Sequence, residues 1–225
     1  MNGLILIDKP AGITSHDAVS RARRAYNTRR IGHAGTLDPF ATGLLILGVN
    51  AGTKMLTALV GLDKSYIATA HLGATTITDD TEGERIETPP HTYTQPTEAE
   101  VEQALHSFLG ASEQVTPLYS AKKIGGKKMY ELARQGLGET VERPKKHILI
   151  HSIRLIRYAW PELVFEISCS SGTYIRAIAR DLGERLGCGA YLTGLRRTRI
   201  GSYSIEEAHA LDALPVPCYA PATDH

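Results

Sequence analysis

The chain has 225 residues, 42% of them hydrophobic and 22% charged, with a formal net charge of +1. This is the composition of a globular protein long enough to build a substantial core, and it excludes a disordered or fibrous chain. Three cysteines without a Cys-x-x-Cys pair argue against a disulfide framework or a thiolate zinc site and fit a reducing cytoplasm, and no apolar run approaches membrane-spanning length.

The run Leu4-Ile5-Leu6-Ile7, bounded by Gly3 and by Asp8-Lys9-Pro10-Ala11-Gly12, reads as a buried strand that ends in a turn. A helix follows, with Ser15 as its expected N-cap, Asp17 in the first turn, and Val19, Ala22 and Tyr26 at helical spacing; Asn27 closes it. Gly32-His33-Ala34-Gly35-Thr36-Leu37-Asp38-Pro39 comes next as a loop. Pro39 biases Asp38 away from the helical region, so its carboxylate is presented by a turn. An aspartate before proline commonly does no more than cap such a turn. Gly43 to Val49 and Tyr66 to Leu72 read as strands, and the acidic, Thr- and Pro-rich stretch from Ala74 to Pro96 as an excursion at the edge.

Thr97-Glu98-Ala99-Glu100 is a capping-box pattern ahead of Val101, Ala104, Leu105 and Phe108. Leu163, Phe165 and Ile167 alternate with polar or less apolar neighbours, as in a half-exposed strand, and a helix is expected from about Tyr174 to Leu186, ending at Gly187. Strands and helices interleave without a regular period or an internal repeat, so one α+β domain accounts for the chain most simply.

Charge is unevenly distributed. Arg21 to Arg30 holds five arginines and no acid; Tyr119 to His147 holds eight basic residues against three acidic ones; Thr75 to Glu102 holds eight acids against Arg85 alone. A basic face for a polyanion and a set of solvated surfaces both fit this pattern. Walker and dinucleotide glycine patterns, a Gly-x-Ser-x-Gly turn and a paired-histidine metal motif are all missing. What remains is a loop carboxylate, arginines that can hold it ionised, and tyrosines that can stack on a flat heterocycle, a set suited to nucleobase chemistry.

Five ordered blocks then carry a resemblance: Asp8-Lys9-Pro10 with Gly12, Gly32 to Leu45, Asp63-Lys64-Ser65-Tyr66, Pro117 to Lys123 with Gly126-Lys127-Lys128-Met129-Tyr130, and Ser171-Gly172-Thr173-Tyr174-Ile175-Arg176. The chain resembles the TruB family of bacterial tRNA pseudouridine-55 synthases from Gly3 to about Tyr203. The resemblance implies a single α+β catalytic domain over residues 1–225, with a mixed, largely antiparallel sheet flanked by helices and loops. It also implies an RNA-gripping insertion at about 115–147 and a short tail from about 204, with no room for the PUA domain that many relatives carry.

For function, the resemblance implies a reaction without cofactor or metal in which Asp38 attacks a flipped uridine. Tyr66 stacks under the base and takes part in removing the C5 proton. Arg176 pairs with Asp38, and Asp80 belongs to the same arginine and aspartate network. His33 fills the space left by the extruded base, and Leu195 walls the uracil pocket. Tyr174, Tyr119, Lys122, Lys123, Lys127 and Lys128 contact RNA, while Lys9 and Lys64 are orientation or fold contacts. On residues alone His33 would be a turn histidine and Leu195 core. Where many relatives read Thr-Asp-Thr-x-Asp, this chain has Thr76-Ile77-Thr78-Asp79-Asp80, so Ile77 replaces the first acid. The implied partner is the T-arm stem-loop of tRNA, with no membrane, no obligatory protein partner and a monomeric, cytoplasmic enzyme. Two rival readings are an RNA-binding or refolding protein with little catalysis and a guide-RNA-dependent relative working inside a ribonucleoprotein.

Overall fold

A computed structural model of the chain describes residues 1–120, 123–124, 127–129 and 143–219. In chain order the elements are β1 (Gly3–Lys9), α1 (Ser15–Ala25), β2 (Ile31–His33), β3 (Thr42–Val49), α2 (Leu56–Gly61), β4 (Lys64–Leu72), β5 (Ala74–Thr76), β6 (Arg85–Glu87), α3 (Glu98–His106), β7 (Gly110–Val115), β8 (Lys123–Ile124), β9 (Lys127–Lys128), β10 (Lys145–Ala159), β11 (Glu162–Cys169), α4 (Ile175–Arg185), β12 (Ala190–Ile200), β13 (Tyr203–Ser204) and β14 (His209–Ala210). They form two units, Met1–Ile67 with Gly194–His225 and Ala68–Thr193, and the chain passes from one to the other within β4 and β12. The architecture is α+β, with mixed but largely antiparallel strand pairing.

In the first unit the strand order is β14-β1-β3-β12, with β2 also on β3 and β13 also on β12. β1 runs antiparallel to β3, whereas β14 lies parallel to β1 and β12 parallel to β3. One face carries Ile5, Ile7, Leu45, Leu47 and Val49 against Ala18, Val19 and Ala22 of α1. The other carries Leu4, Leu6, Leu44 and Ile46 against Leu59 and Ile200. Burial on both faces is why β1 reads as a continuous apolar run instead of an alternating one.

The N-cap of α1 is Thr14 rather than the expected Ser15. Thr14 accepts from the Asp17 N–H, and the Asp17 carboxylate accepts from the Thr14 N–H in return. Thr14, with an acid three residues on, satisfies two orphan donors where Ser15 could satisfy only one, and this frees Ser15 for another task. Asn27, with φ 46, follows the helix end as expected.

In the second unit β10 pairs antiparallel with both β7 and β11, and β5 pairs with β6. β11 alternates as expected, burying Leu163, Phe165, Ile167 and Cys169. The capping box predicted at Thr97 and Glu100 opens α3, which packs on β10. α4 ends before Gly187, whose φ is 71. The stretch from Ala74 to Pro96 is not wholly peripheral: Thr76, Thr78 and Asp80 are buried within it. The Thr76 hydroxyl donates to the Asp80 carbonyl and the Thr78 hydroxyl to the Asp80 carboxylate, which removes much of the cost of burying them.

Candidate active site

The loop that carries Asp38 is held at nearly every residue. Asp38 itself is half-buried, and its carbonyl accepts from the Ala41 N–H at 3.1 Å, closing the turn that Pro39 sets. Leu37 is buried, and the Ser15 hydroxyl accepts from its N–H at 2.9 Å and donates to its carbonyl at 3.1 Å. On the other side, the Pro39 carbonyl accepts from the Gly12 N–H at 2.9 Å and from the Lys9 ammonium at 3.3 Å. The Asp-Lys-Pro block of β1 and its turn therefore support the aspartate loop directly.

Lys9 is fully buried, and its ammonium also donates to the carbonyls of Pro10 and Ile13. Burial pulls its pKa down to about 8, while the Asp38 carboxylate pulls it back up and the Arg197 guanidinium depresses it further. At neutral pH it is an ammonium. Lys64 is buried as well, donating to the carbonyls of Val60 and Leu62, which accounts for its place in the sequence block.

Arg197, on β12, is a further buried cation of this unit. Its Nε donates to the Leu44 carbonyl at 2.8 Å, Nη2 to the Gly35 carbonyl at 3.1 Å and Nη1 to the Thr36 carbonyl at 3.5 Å. Burial lowers its pKa, partly countered by Tyr66, a buried residue of β4. Gly43 makes this seating possible, because a Cβ there would lie 2.3 Å from the Arg197 carbonyl oxygen and its φ is +102. Burial and the Arg197 charge hold His33 below the usual imidazole range, partly countered by the Gly35 backbone. His33 is therefore neutral at pH 7. Leu195, two residues before Arg197, is buried.

The second unit contributes a separate arginine and carboxylate network. Arg176, in the first turn of α4, is buried; its Nε lies 3.5 Å from the Asp80 carboxylate, and its guanidinium donates to the carbonyls of Thr78 and Tyr119. Asp80 accepts in addition from the Thr78 hydroxyl and the Glu82 N–H. Tyr174 is the N-cap of α4 and supplies no side-chain cap; instead the buried Gln114 amide accepts from its N–H at 2.8 Å and donates to its carbonyl at 3.0 Å. Ile77, in place of the acid many relatives carry, is exposed.

Sequence reading singled out the loop aspartate, the tyrosine, the second-unit arginine and Asp80 as candidates, but did not anticipate Ser15, Gln114 and Arg197 as supports. Arg197 had a visible cue, since an arginine flanked by Arg196 and Thr198 in a mostly apolar strand invites the question of what pairs with it. It also missed Asp79, a carboxyl that burial raises to about 6 despite Arg180 at 3.2 Å and Arg176 nearby. Lys122 lies outside the described residues, as do the side chains of Lys123, Lys127 and Lys128. Asp38 belongs to the first unit and Arg176 to the second.

Residues 23–175 match the family described as TruB family pseudouridylate synthase, N-terminal domain, and residues 176–220 match the tRNA pseudouridylate synthase B C-terminal domain. The chain belongs to the TruB family of pseudouridylate synthases. It is 47% identical to the tRNA pseudouridine synthase B of Leifsonia xyli subsp. xyli, over 99% of this chain and 75% of that one. It is also 47% identical to the tRNA pseudouridine synthase B of Opitutus terrae, over 96% of this chain and 90% of that one. Among solved structures it is similar to a chain of a Cbf5-Nop10-Gar1 complex, with TM-score 0.71 and 27% identity over 93% of this chain. A chain of an H/ACA RNP bound to a substrate RNA containing 2′-deoxyuridine matches with TM-score 0.69 and 25% identity. The chain spans about half the length of these two solved chains, 52% and 51%. The TruB family is thus the one that the five sequence blocks implied. Among the described residues, no helix is long and apolar enough to cross a membrane.

Proposed function

We propose that this TruB-family chain isomerises the T-loop uridine at position 55 of tRNA to pseudouridine, with Asp38 as the attacking carboxylate. The observation that carries the reading is the fixing of the Asp38 loop by Ser15, Lys9 and Arg197. A loop held at each of residues 35 to 39 around one half-buried carboxylate is preorganised to meet a reacting atom. The C1′–N1 bond breaks, the base turns, and a C1′–C5 bond forms; N1 gains a proton and C5 loses one, so no redox partner is required.

The target base must leave its stack, at a cost of a few kcal/mol. Neutral His33 fills the vacated space, Leu195 walls the uracil, and Tyr66 stacks beneath it and accepts the C5 proton. Arg176, oriented by Asp80 and by two carbonyls, supplies the cation that keeps the nucleophile ionised. Tyr119, Tyr174 and the lysines 122, 123, 127 and 128 grip the T-arm, where phosphate contacts supply affinity and RNA shape supplies selection. No obligatory protein partner, cofactor or metal enters this scheme, and the enzyme works as a cytoplasmic monomer.

The test is tritium release from a tRNA transcript carrying 5-tritiated uridine, with the modified position mapped. Wild type should release tritium from the T-loop uridine, and Asp38→Asn should bind the tRNA without releasing any. A second reading, guide-RNA-dependent action inside a ribonucleoprotein, has a specific observation in its favour, the similarity to chains of a Cbf5-Nop10-Gar1 complex and of an H/ACA RNP. Turnover of bare tRNA by the isolated chain excludes it; turnover only with added RNA and proteins would establish it.

A further inference from the structure

The turn at residues 76–80 presents to α4 the groups that hold Arg176. The Arg176 guanidinium donates to the Thr78 carbonyl at 2.8 Å, and its Nε lies 3.5 Å from the Asp80 carboxylate. Asp79 stands between these two residues in the chain and gives its own carboxylate to a different arginine. Arg180, one helical turn after Arg176, donates from Nη1 to the Asp79 carboxylate at 3.2 Å. Residues four apart on a helix share a face, so α4 grips this turn at two successive levels.

The second grip is fixed at both ends. The Asp79 N–H donates to the Thr76 carbonyl at 3.2 Å, and the Asp79 carbonyl accepts from the Leu192 N–H at 3.0 Å. Its φ of 61 is a left-handed conformation that aspartate adopts more readily than most residues. Arg180 is oriented by Asp181, whose carboxylate accepts from its Nε at 2.8 Å and its Nη2 at 2.7 Å. The side chains of Arg180 and Asp79 are only 22% and 13% exposed. Desolvation offsets most of what an ion pair so placed gains, so the pair adds little net stability, and its effect is on geometry. Burial raises the Asp79 carboxyl to about 6 against the pull of Arg180 and Arg176, which leaves it largely ionised at neutral pH.

We propose that Asp79 and Arg180 are positioning residues for the reaction: their ion pair sets where the turn at 76–80 sits on α4, and with it the aim of the Arg176 guanidinium that the turn holds. The inference rests on the reading of Arg176 as the cation that keeps the attacking carboxylate ionised. The Thr78 carbonyl and the Asp80 carboxylate each lie one residue from Asp79, so a shift of the Asp79 backbone moves both acceptors together. A misplacement of about 1 Å at a reacting centre costs on the order of 100-fold in rate. Neither Asp79 nor Arg180 touches the substrate in this reading; both act through Arg176.

The experiment compares single-turnover rate on a tRNA transcript, tRNA affinity and urea stability for variants of the full chain. Asp79→Asn keeps the shape and tolerates the backbone conformation while removing the charge. It should slow the reaction about 10- to 100-fold with unchanged tRNA affinity, although the folded chain becomes more stable at pH 7. Arg180→Gln should lose rate to the same extent, and Arg180→Lys, which keeps a cation, should recover part of it. Asp79→Asn combined with Arg176→Lys should be no slower than Arg176→Lys alone, because the ion pair acts only through Arg176. An unchanged rate in Asp79→Asn, a loss of tRNA affinity, a rate loss matched by a loss of stability, or defects that multiply in the double variant would each overturn the proposal. Full activity of Arg176→Gln would instead remove the reading of Arg176 on which it rests.

Discussion

The Ser15 hydroxyl holds both backbone groups of Leu37, accepting from its N–H at 2.9 Å and donating to its carbonyl at 3.1 Å. A helix side chain thus does for one loop residue what a neighbouring strand would do, and the next residue is Asp38. Gln114 does the same for Tyr174, two residues before Arg176.

Ser15→Ala removes both bonds at a buried point while leaving the helix capped by Thr14. Two buried backbone groups without partners should cost about 1–3 kcal/mol, measured by urea denaturation. Because the loop geometry loosens, single-turnover rate should fall by roughly 10-fold or more while tRNA affinity holds.

Gly43→Ala should be among the most damaging single substitutions. The added methyl would sit 2.3 Å from the Arg197 carbonyl oxygen at a φ of +102, and strand β3 must shift or break its pairing with β12. A loss of more than about 3 kcal/mol is expected, read as a collapse of the denaturation midpoint or of soluble yield.

Asp79→Asn should stabilise the protein at neutral pH. Burial lifts the Asp79 carboxyl to about 6, above its ordinary 3.8, so the folded state binds this proton more tightly than the unfolded one. Stability from this group is present below about pH 4 and is lost as pH rises through about 6. Asparagine keeps the neutral form and tolerates the φ of 61 at this position. The gain should be on the order of 2 kcal/mol at pH 7 and vanish near pH 4, measured by denaturation at both pH values.

His33 works in the opposite sense. Its pKa lies below 6.5 in the folded chain, so its contribution to stability is intact above that value and is lost as pH falls through the folded pKa. The His33 ring resonances should titrate below the ordinary imidazole value of 6.5, and His33→Gln should flatten the acid side of the stability profile. A His33 titration at or above 6.5 would refute the assignment of a neutral ring.

The parts of this protein legible in the sequence are those governed by short-range rules. Strands showed themselves by apolar runs, α3 by its capping box, and the Asp38 turn by the proline that follows it, because each depends on residues within a turn or two. Family blocks named Asp38, Tyr66 and Arg176 residue by residue, and the resemblance added Asp80. Tertiary structure alone decided which groups hold them. Ser15 is 22 residues from Leu37, Gln114 is 60 from Tyr174, and Arg197 is 153 from Leu44, separations across which no periodicity carries information. It also decided that Thr14 caps α1, that Asp79 is half-buried beside Arg180, and that of two adjacent arginines one meets a carboxylate and the other the carbonyls of residues 35, 36 and 44. A local pattern sets which way a side chain faces, but the partner it finds depends on which strand the sheet places beside it, and that follows from packing of the whole unit.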